Sequence, residues 1–595
     1  MNHLKGRFNL KLSIFWICTG ILLFLFLQNY YSYLFYFKEQ SQLFLVDISW
    51  FRECVSEPGG LSIWLSQFLM QFFVYPYIGA LITSILLTLT ACITGCVLKK
   101  ITKSSVFIIL GWIPVIAQLC AMLDINYFYQ GTIVFVEVVC LFYLCLLIKS
   151  VRFRLFVEFF CVLLLSVIAG SGNILFACLV FLYESINLDR RKWISVLPLV
   201  MASVLTFCIY YCGWISEMKF AFLPDAYYHK LLSPKPIIYY SWITIMLVIG
   251  LALSLHLKGL IIKERKIQYL IITINCLLVC GWGYWCFSRY GEWKMNRYME
   301  LDYYSRTEQW DKIQNNCKGK LTNYLYMNIL ARSLSEQGRL VDDLLKYQIR
   351  NESGLAVEYN NTEDIAVLLS DIYFTAGNIA LSQRLAFEGC ACARGNFNVR
   401  LLQRLIQTNI IYGEYKVAEK YIGLLEKSLT YKKWAKEYRK YLYNDKLVNE
   451  DVLLGTKRQL LLSVKDTTGL KVSGTAIENS MALPVIANPQ KSQIAFQYLM
   501  CTYLLRKDMN SFLENIETYY KTPLLPTLPF LFQEALIVAY ENNPEGLNQY
   551  SLDSSVKNRY TEFRKQILAN RNNGGLASMM YRGFGNSYWY YFIFR

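Results

Sequence analysis

Residues 58–98 read PGGLSIWLSQFLMQFFVYPYIGALITSILLTLTACITGCVL, without one charged side chain. That run is longer than the ~20 residues one membrane span needs. The Pro58-Gly59-Gly60 turn and Pro76 inside the run divide it. The division predicts a short interfacial or re-entrant helix over 61–74 and a span over 77–98. The fold class therefore begins as a helical membrane bundle, and the rest of the chain can be read outward from here.

Upstream, Lys5, Arg7 and Lys11 precede an apolar run from Leu12 to Tyr36. A secretory signal has an apolar core of about 7–15 residues and a small-residue cleavage site. This run is longer and ends in aromatics, so it reads as an uncleaved first span. Downstream, further spans fit 105–122, 126–148, 193–213, 237–255 and 268–288. Segment 155–188 has basic clusters on both sides: Lys149, Arg152 and Arg154 before it, and Arg190, Arg191 and Lys192 after it. Positive charge marks the cytoplasmic side, so the chain must go out and return. Two short helices joined at Gly170-Ser171-Gly172-Asn173 satisfy this. Each would be about 21–24 Å long at 1.5 Å per residue, short against a ~30 Å hydrocarbon core.

The result is about nine spans with the N-terminus in the cytoplasm. Of the 21 Lys/Arg in residues 1–288, only Lys38, Arg52, Lys219, Lys230 and Lys235 then fall in outer loops. This asymmetry puts everything after residue 288 outside, in the periplasm of a Gram-negative cell, with the bundle in the bacterial inner membrane.

Composition agrees. The 595 residues are 55% hydrophobic and only 17% charged, against about a quarter charged in soluble domains. Disorder, collagen and disulfide-mini-protein classes are excluded, and so is a soluble enzyme for the whole chain. The net charge of +17 reflects loop lysines and arginines that set topology, so no nucleic-acid partner is expected. Thirteen of eighteen cysteines lie in apolar segments, where they act as small hydrophobes. The others are Cys54, Cys317, Cys390, Cys392 and Cys501. There is no CxxC pair, and His3, His229 and His256 are the only histidines. No metal and no cofactor is expected. P-loop, GxGxxG, GxSxG and HExxH motifs are absent.

From Glu292 apolar positions recur at three and four, and turns carry Gly or polar residues, which predicts helical hairpins. Gly338, Gly377 and Gly413 are spaced near the 34 residues of a tetratricopeptide (TPR) repeat. The run 412–429, YGEYKVAEKYIGLLEKSL, is similar to the second half of such a repeat. The expected organisation is all-α: a polytopic bundle (1–288), TPR-like repeats of an extracytoplasmic α-solenoid (289–443), a connecting segment (444–487, with Gly469, Gly474 and Pro484), and further hairpins with an aromatic tail (488–595). A helix is expected to restart with Asn488 as cap and Pro489 at its first position. The tail SYWYYFIFR (587–595) reads as a strand or aromatic plug docked on the domain, or as a contact with the bilayer.

Residues 57–75 (EPGGLSIWLSQFLMQFFVY), QEA at 533–535 and YWYYF at 588–592 together resemble a bacterial family of multi-pass membrane proteins of unknown function with helical-repeat C-terminal domains. More distantly, the architecture is similar to GT-C-type glycosyltransferases, which use lipid-phosphate-linked sugars and often append a TPR domain. That likeness implies an acid in the first outer loop acting as base or metal ligand, for which Asp47, Glu53 and Glu57 are the candidates.

The residues themselves add candidates. Asp47 lies in FLVDISWF, an apolar setting that favours a raised pKa and general-base use; the alternative is a solvated acid on an interfacial helix. Glu137 is near the middle of span 126–148, where charge is costly and usually functional; the alternative is a hydrogen-bonded carboxyl holding the bundle together. Asn126, Gln130 and Glu137 at spacings of four and seven predict a polar stripe on one helical face, with Asp124 at its mouth. In outer loop 214–236, His229 and Lys230 beside Lys219 and Lys235 suit a phosphate head group; a plain solvated loop is the alternative. Three functions remain open. One is a GT-C-like enzyme moving a sugar from a polyprenyl-phosphate carrier among the membrane lipids. The second is a non-enzymatic scaffold whose repeats bind a periplasmic protein partner. The third is a transporter.

Overall fold

The computed structural model describes residues 2–188, 192–259, 264–319, 321–347, 349, 351–393, 397–461, 477–571 and 574–595. The Arg190-Arg191 cluster and the Gly469 and Gly474 positions lie outside the described residues. The structure is all-α among the described residues, with β-bridges only as isolated pairs. Two compact units divide the chain. The first holds residues 1–39, 43–297 and 427–430; the second holds 40–42, 298–426 and 431–595. The main division falls at 297/298, inside a helix, and not at the expected 288/289.

The first unit contains α1 (Asn2–Gln40), α2 (Ile48–Val55), α3 (Gly60–Met70), α4 (Ile78–Thr102), α5 (Trp112–Leu123) and α6 (Gln130–Leu147). It continues with α7 (Val151–Ile168), α8 (Gly172–Asn187), α9 (Leu197–Tyr211), α10 (Met218–Phe222), α11 (Ile237–Leu257) and α12 (Arg265–Tyr290). Among the described residues, six stretches are long and apolar enough to cross a membrane: Leu12–Gln40, Ile78–Thr102, Gln130–Leu147, Trp193–Tyr211, Ile237–Leu257 and Arg265–Tyr290. The spans expected at 105–122 and 155–188 appear as shorter helices, Ile108–Leu123 and the α7–α8 pair.

The centre of this unit is built on α4, α5, α6, α8 and α11, which pack on one another. Small residues permit the close approach: Ala91, Ala117, Cys120 and Ala121 are buried beside Phe135, Leu179 and Ile245. Gly95 and Gly111 allow close contact, since a Cβ on Gly111 would lie 2.5 Å from Ala91 O. Apolar side chains also cover the outside, among them Leu22, Leu247 and Leu277, as a lipid solvent requires.

The run that opened the reading divides where expected. Gly59 adopts φ +82 and its N–H donates to Val167 O at 2.8 Å. A Cβ on Gly60 would sit 1.7 Å from Cys54 O, which no side chain allows. These two glycines turn the chain from α2 into α3.

The second unit holds most of α13 (Trp293–Arg306), then α14 (Trp310–Asn316), α15 (Tyr324–Glu336), α16 (Leu340–Asp343), α17 (Glu363–Ala376), α18 (Ile379–Cys392), α19 (Val399–Tyr412) and α20 (Tyr415–Leu425). Next come α21 (Lys432–Arg439), α22 (Asp445–Glu450), α23 (Val452–Arg458), α24 (Ile477–Ala487), α25 (Gln493–Arg506) and α26 (Met509–Tyr519). The last are α27 (Phe530–Ala539), α28 (Ser554–Ala569), α29 (Leu576–Phe584) and α30 (Tyr588–Phe594). Gly338, Gly377 and Gly413 all have positive φ (71, 91 and 79) in the turns between paired helices, the left-handed cap that favours glycine. Glu308 and Lys507 take the same conformation in two further turns without being glycine.

Three local expectations are corrected. Segment 444–487 is substantially helical where described, because Asn444 caps α22 and Asp451 caps α23. The next helix starts at Gln493, not at Pro489, since Asn488 N still bonds Pro484 O at the end of α24. The tail is a helix, not a strand: Ser587 caps it by accepting from Tyr590 N.

Candidate functional site

Asp47 is the N-cap of α2, accepting from Ser49 N at 3.0 Å. Its other oxygen takes the Lys427 ammonium, from the return segment 427–430 of the same unit. Those two partners hold its carboxyl at about 2, below the ordinary range. The expectation of a raised pKa is overturned: the apolar neighbours in sequence are not what surrounds the carboxylate, and a cation and a helix cap favour its charged form. Glu53 and Glu57, on and just after α2, are exposed.

Glu137 is half-buried on α6, with Oε2 at 2.6 Å from Ser62 Oγ on α3. The same hydroxyl lies 2.8 Å from Ile168 O at the end of α7. Glu137 thus ties the interfacial helix to the bundle. Gln130 shares α6 with it and is buried; its Oε1 has no hydrogen-bond partner. Asn126 does not belong to that helix. Asp124 Oδ1 captures its N–H at 3.0 Å, bending the chain before α6 begins. The three-residue stripe is therefore two residues on a helix and one in a turn.

The loops around 124–129 and 224–236 meet. Phe128 N donates to Tyr227 O at 2.8 Å and His229 N donates to Asn126 O at 3.0 Å, with a bridge between Tyr127 and Tyr228. Around this join lies a charge network. Asp124, only 2% exposed, accepts from Tyr228 Oη and pairs with Lys235 Nζ, each at 3.0 Å. Lys235 also binds Glu292. Lys38 donates to the Asp124 and Tyr127 carbonyls at 3.0 and 2.8 Å. Burial works against the Lys235 ammonium, but Asp124 and Glu292 raise it above an ordinary lysine. Burial lowers His229, whose Nδ1 accepts from Leu231 N. Lys230 is exposed. The structure thus joins Asp124, Asn126 and His229. Asp47, Glu53, Glu57 and Glu137 have separate partners and surroundings.

Sequence reasoning missed the charged centre of the second unit. Asp371 on α17 receives Arg332 (3.1 Å) from α15 and both Arg404 (2.9 Å) and Arg400 from α19. Arg400 also binds Asp302 on α13 at 2.7 Å. Burial opposes the Asp371 charge, yet the three guanidinium groups hold its carboxyl well below the usual range. These residues stand on the first helices of successive hairpins, α13, α15, α17 and α19. Periodicity was their only signal in the sequence.

The segments carrying the family likeness are structural too. Glu534 Oε2, of QEA, accepts from Tyr588 N at 2.7 Å, of YWYYF. Tyr588 Oη and Tyr591 Oη donate to Leu504 O and Leu505 O at 3.0 and 2.8 Å. Trp589 is fully buried in a cluster with Phe563 and Phe584. The tail packs as a plug in the second unit's core.

No metal-holding cluster of His, Cys, Asp and Glu occurs among the described residues. A family model described as a family of unknown function (DUF6057) matches residues 7–595. No curated protein and no solved structure matches the chain.

Proposed function

We propose that this chain, which belongs to the family of unknown function DUF6057 along nearly its whole length, is a membrane-anchored scaffold that binds a protein partner through its helical-repeat half. One observation carries this reading. Two of the four carboxylates offered for catalysis already have other work: Asp47 caps α2 and binds Lys427, and Glu137 meets Ser62, while Asp124, offered for binding, holds Lys235 and Tyr228. A general base must be within reach of its proton at a suitable pKa, and Asp47 at about 2 is a poor one at neutral pH.

The repeat half fits the complementary role. Its hairpins, TPR-like in spacing, are tied through Asp371 into an array of the kind that offers extended binding surfaces. In this reading nine spans anchor the chain in a bacterial inner membrane, with the repeats in the periplasm. An introduced cysteine at Lys432 should react with a membrane-impermeant thiol reagent in intact spheroplasts, and one at Lys266 should not.

A GT-C-like transferase using a polyprenyl-phosphate sugar is the second reading, favoured by the exposure of Glu53 and Glu57 in the first loop. One experiment separates the two. The four-fold acid variant Asp47→Asn/Glu53→Gln/Glu57→Gln/Glu137→Gln keeps shape and hydrogen-bonding capacity while removing every candidate base. The scaffold reading expects it to complement a deletion strain at wild-type protein levels. Loss of complementation by a folded variant overturns that reading, since loss of a general base costs about 10²–10⁴ in rate.

A further inference from the structure

The second unit contains a cavity of about 740 Å³ between the 352–361 loop, α17, α18, the start of α24 and the end of α25. This falls within the range of ligand pockets, ~300–1,000 Å³. Its wall is mixed. Val357, Leu369, Leu381, Leu385 and Ile477 supply apolar lining. Tyr359 and Tyr373 add aromatic rings, whose faces carry negative potential.

The charges around it do not balance. Glu352, Glu358 and Glu388 line the cavity against Arg384 and Arg506. Arg384 is taken by Glu388 at 2.8 Å. Arg506 serves two carboxylates, Glu352 and Glu478. Glu358 stands exposed with no hydrogen bond or ion pair among the described residues. In a chain of net charge +17, this is a local reversal of sign. Anions are disfavoured here, while a cation gains the spare carboxylate.

We propose that this cavity binds an organic cation on an apolar body, supplied by a short basic peptide segment of a partner: a Lys or Arg flanked by apolar side chains. The inference rests on the scaffold reading and names the chemistry that the repeat half recognises. The basic group sits toward Glu358, and its apolar neighbours meet the apolar lining. Free polyamines share the charge but lack the flanking side chains.

The test is calorimetric titration of the full chain in a neutral detergent. Three probes are compared: the capped peptide Leu-Lys-Leu-Lys-Leu, its glutamate counterpart Leu-Glu-Leu-Glu-Leu, and spermidine. The lysine peptide should bind, the glutamate peptide should not, and spermidine should bind more weakly than the peptide. Glu358→Lys, at an exposed position, should weaken peptide binding by about tenfold or more. Ala391→Trp, on the exposed rim of α18, should block the cavity and remove binding without touching a charge. No binding of the lysine peptide, equal binding of both peptides, or indifference to both variants overturns the proposal. Spermidine binding without peptide binding overturns the peptide assignment. Failure here, with the four-fold acid variant still complementing, leaves the scaffold reading standing. A four-fold acid variant that fails to complement while the peptide still binds removes the scaffold reading and keeps the site.

Discussion

Helices α12 and α17 use similar residues at the same period and reach opposite outcomes. In α12, Leu270 and Leu277 are 60% and 67% exposed; in α17, Leu368, Leu369 and Ile372 are at most 4% exposed. The first unit turns apolar side chains outward as well as inward and keeps its charged pairs toward the helix ends, Asp124 with Lys235 in the joining loops and Arg154 with Glu184 in the end turns of α7 and α8. The second buries its apolar faces and keeps its charges midway along stacked helices, around Asp371. An apolar exterior is stable only in an apolar solvent, and a buried carboxylate only among cations. The difference teaches that hydrophobic content alone does not distinguish these halves; where charge can be afforded does.

The largest effect should come from breaking the charge centre of the second unit. Asp371→Asn leaves three arginines facing one another, and removing one partner of a buried network typically costs about 3–5 kcal/mol. Thermal unfolding of the full chain should show the second unit melting earlier. Because the folded Asp371 carboxyl is depressed, its contribution is complete above the unfolded pKa of about 3.9. It disappears only as pH falls through the folded value.

Glu534 and Glu363 carry the opposite sign. Burial raises them from 4.5 to about 7 and about 8. The folded unit therefore holds protons that the unfolded chain has released, so stability falls as pH rises from about 4.5 to about 7 or 8. For Glu534 the difference amounts to about 3 kcal/mol at most. Glu534→Gln should flatten part of that decline in melting temperature against pH. An unchanged slope would remove Glu534 from the account.

The corresponding break in the first unit should be milder. Asp124→Asn strips Lys235 and Tyr228 of their acceptor, but Lys235 keeps Glu292. A cost of about 2 kcal/mol is expected. It should appear as faster amide exchange at Phe128 and His229, where the two loops join. Protection equal to wild type would show that backbone pairing alone holds the loops together.

Smaller still are the turns. Gly413→Ala meets only ordinary contact, with Arg458 at 3.7 Å, so it should cost the backbone strain of about 1–2 kcal/mol. Gly377→Ala should cost more, because its Cβ would lie 2.4 Å from Leu460 Cδ1. Equal costs would mean that Leu460 moves aside freely. At the bottom of the scale, Asp47→Asn should leave the melting temperature unchanged. Asparagine still caps α2, and an exposed ion pair contributes little.

Much of the fold was legible in the residues. The uncharged run 58–98, the glycine-joined pair 151–187 and the turns at Gly338, Gly377 and Gly413 follow from chain length, charge and the conformational freedom of glycine. Composition and period determine these, because each depends on residues near one another in sequence. The turn at Lys507 escaped notice, since a non-glycine residue supplies the positive φ there.

Only the tertiary structure decided what the polar residues do. Asp47 finds Lys427, far along the chain; Asn126 is drawn off its helix by Asp124; Asp371 collects three arginines; Glu534 of QEA meets Tyr588 of the tail. A carboxylate's chemistry is set by the charges and donors within a few ångströms. Here those neighbours come from segments tens to hundreds of residues away, which no local pattern can bring together.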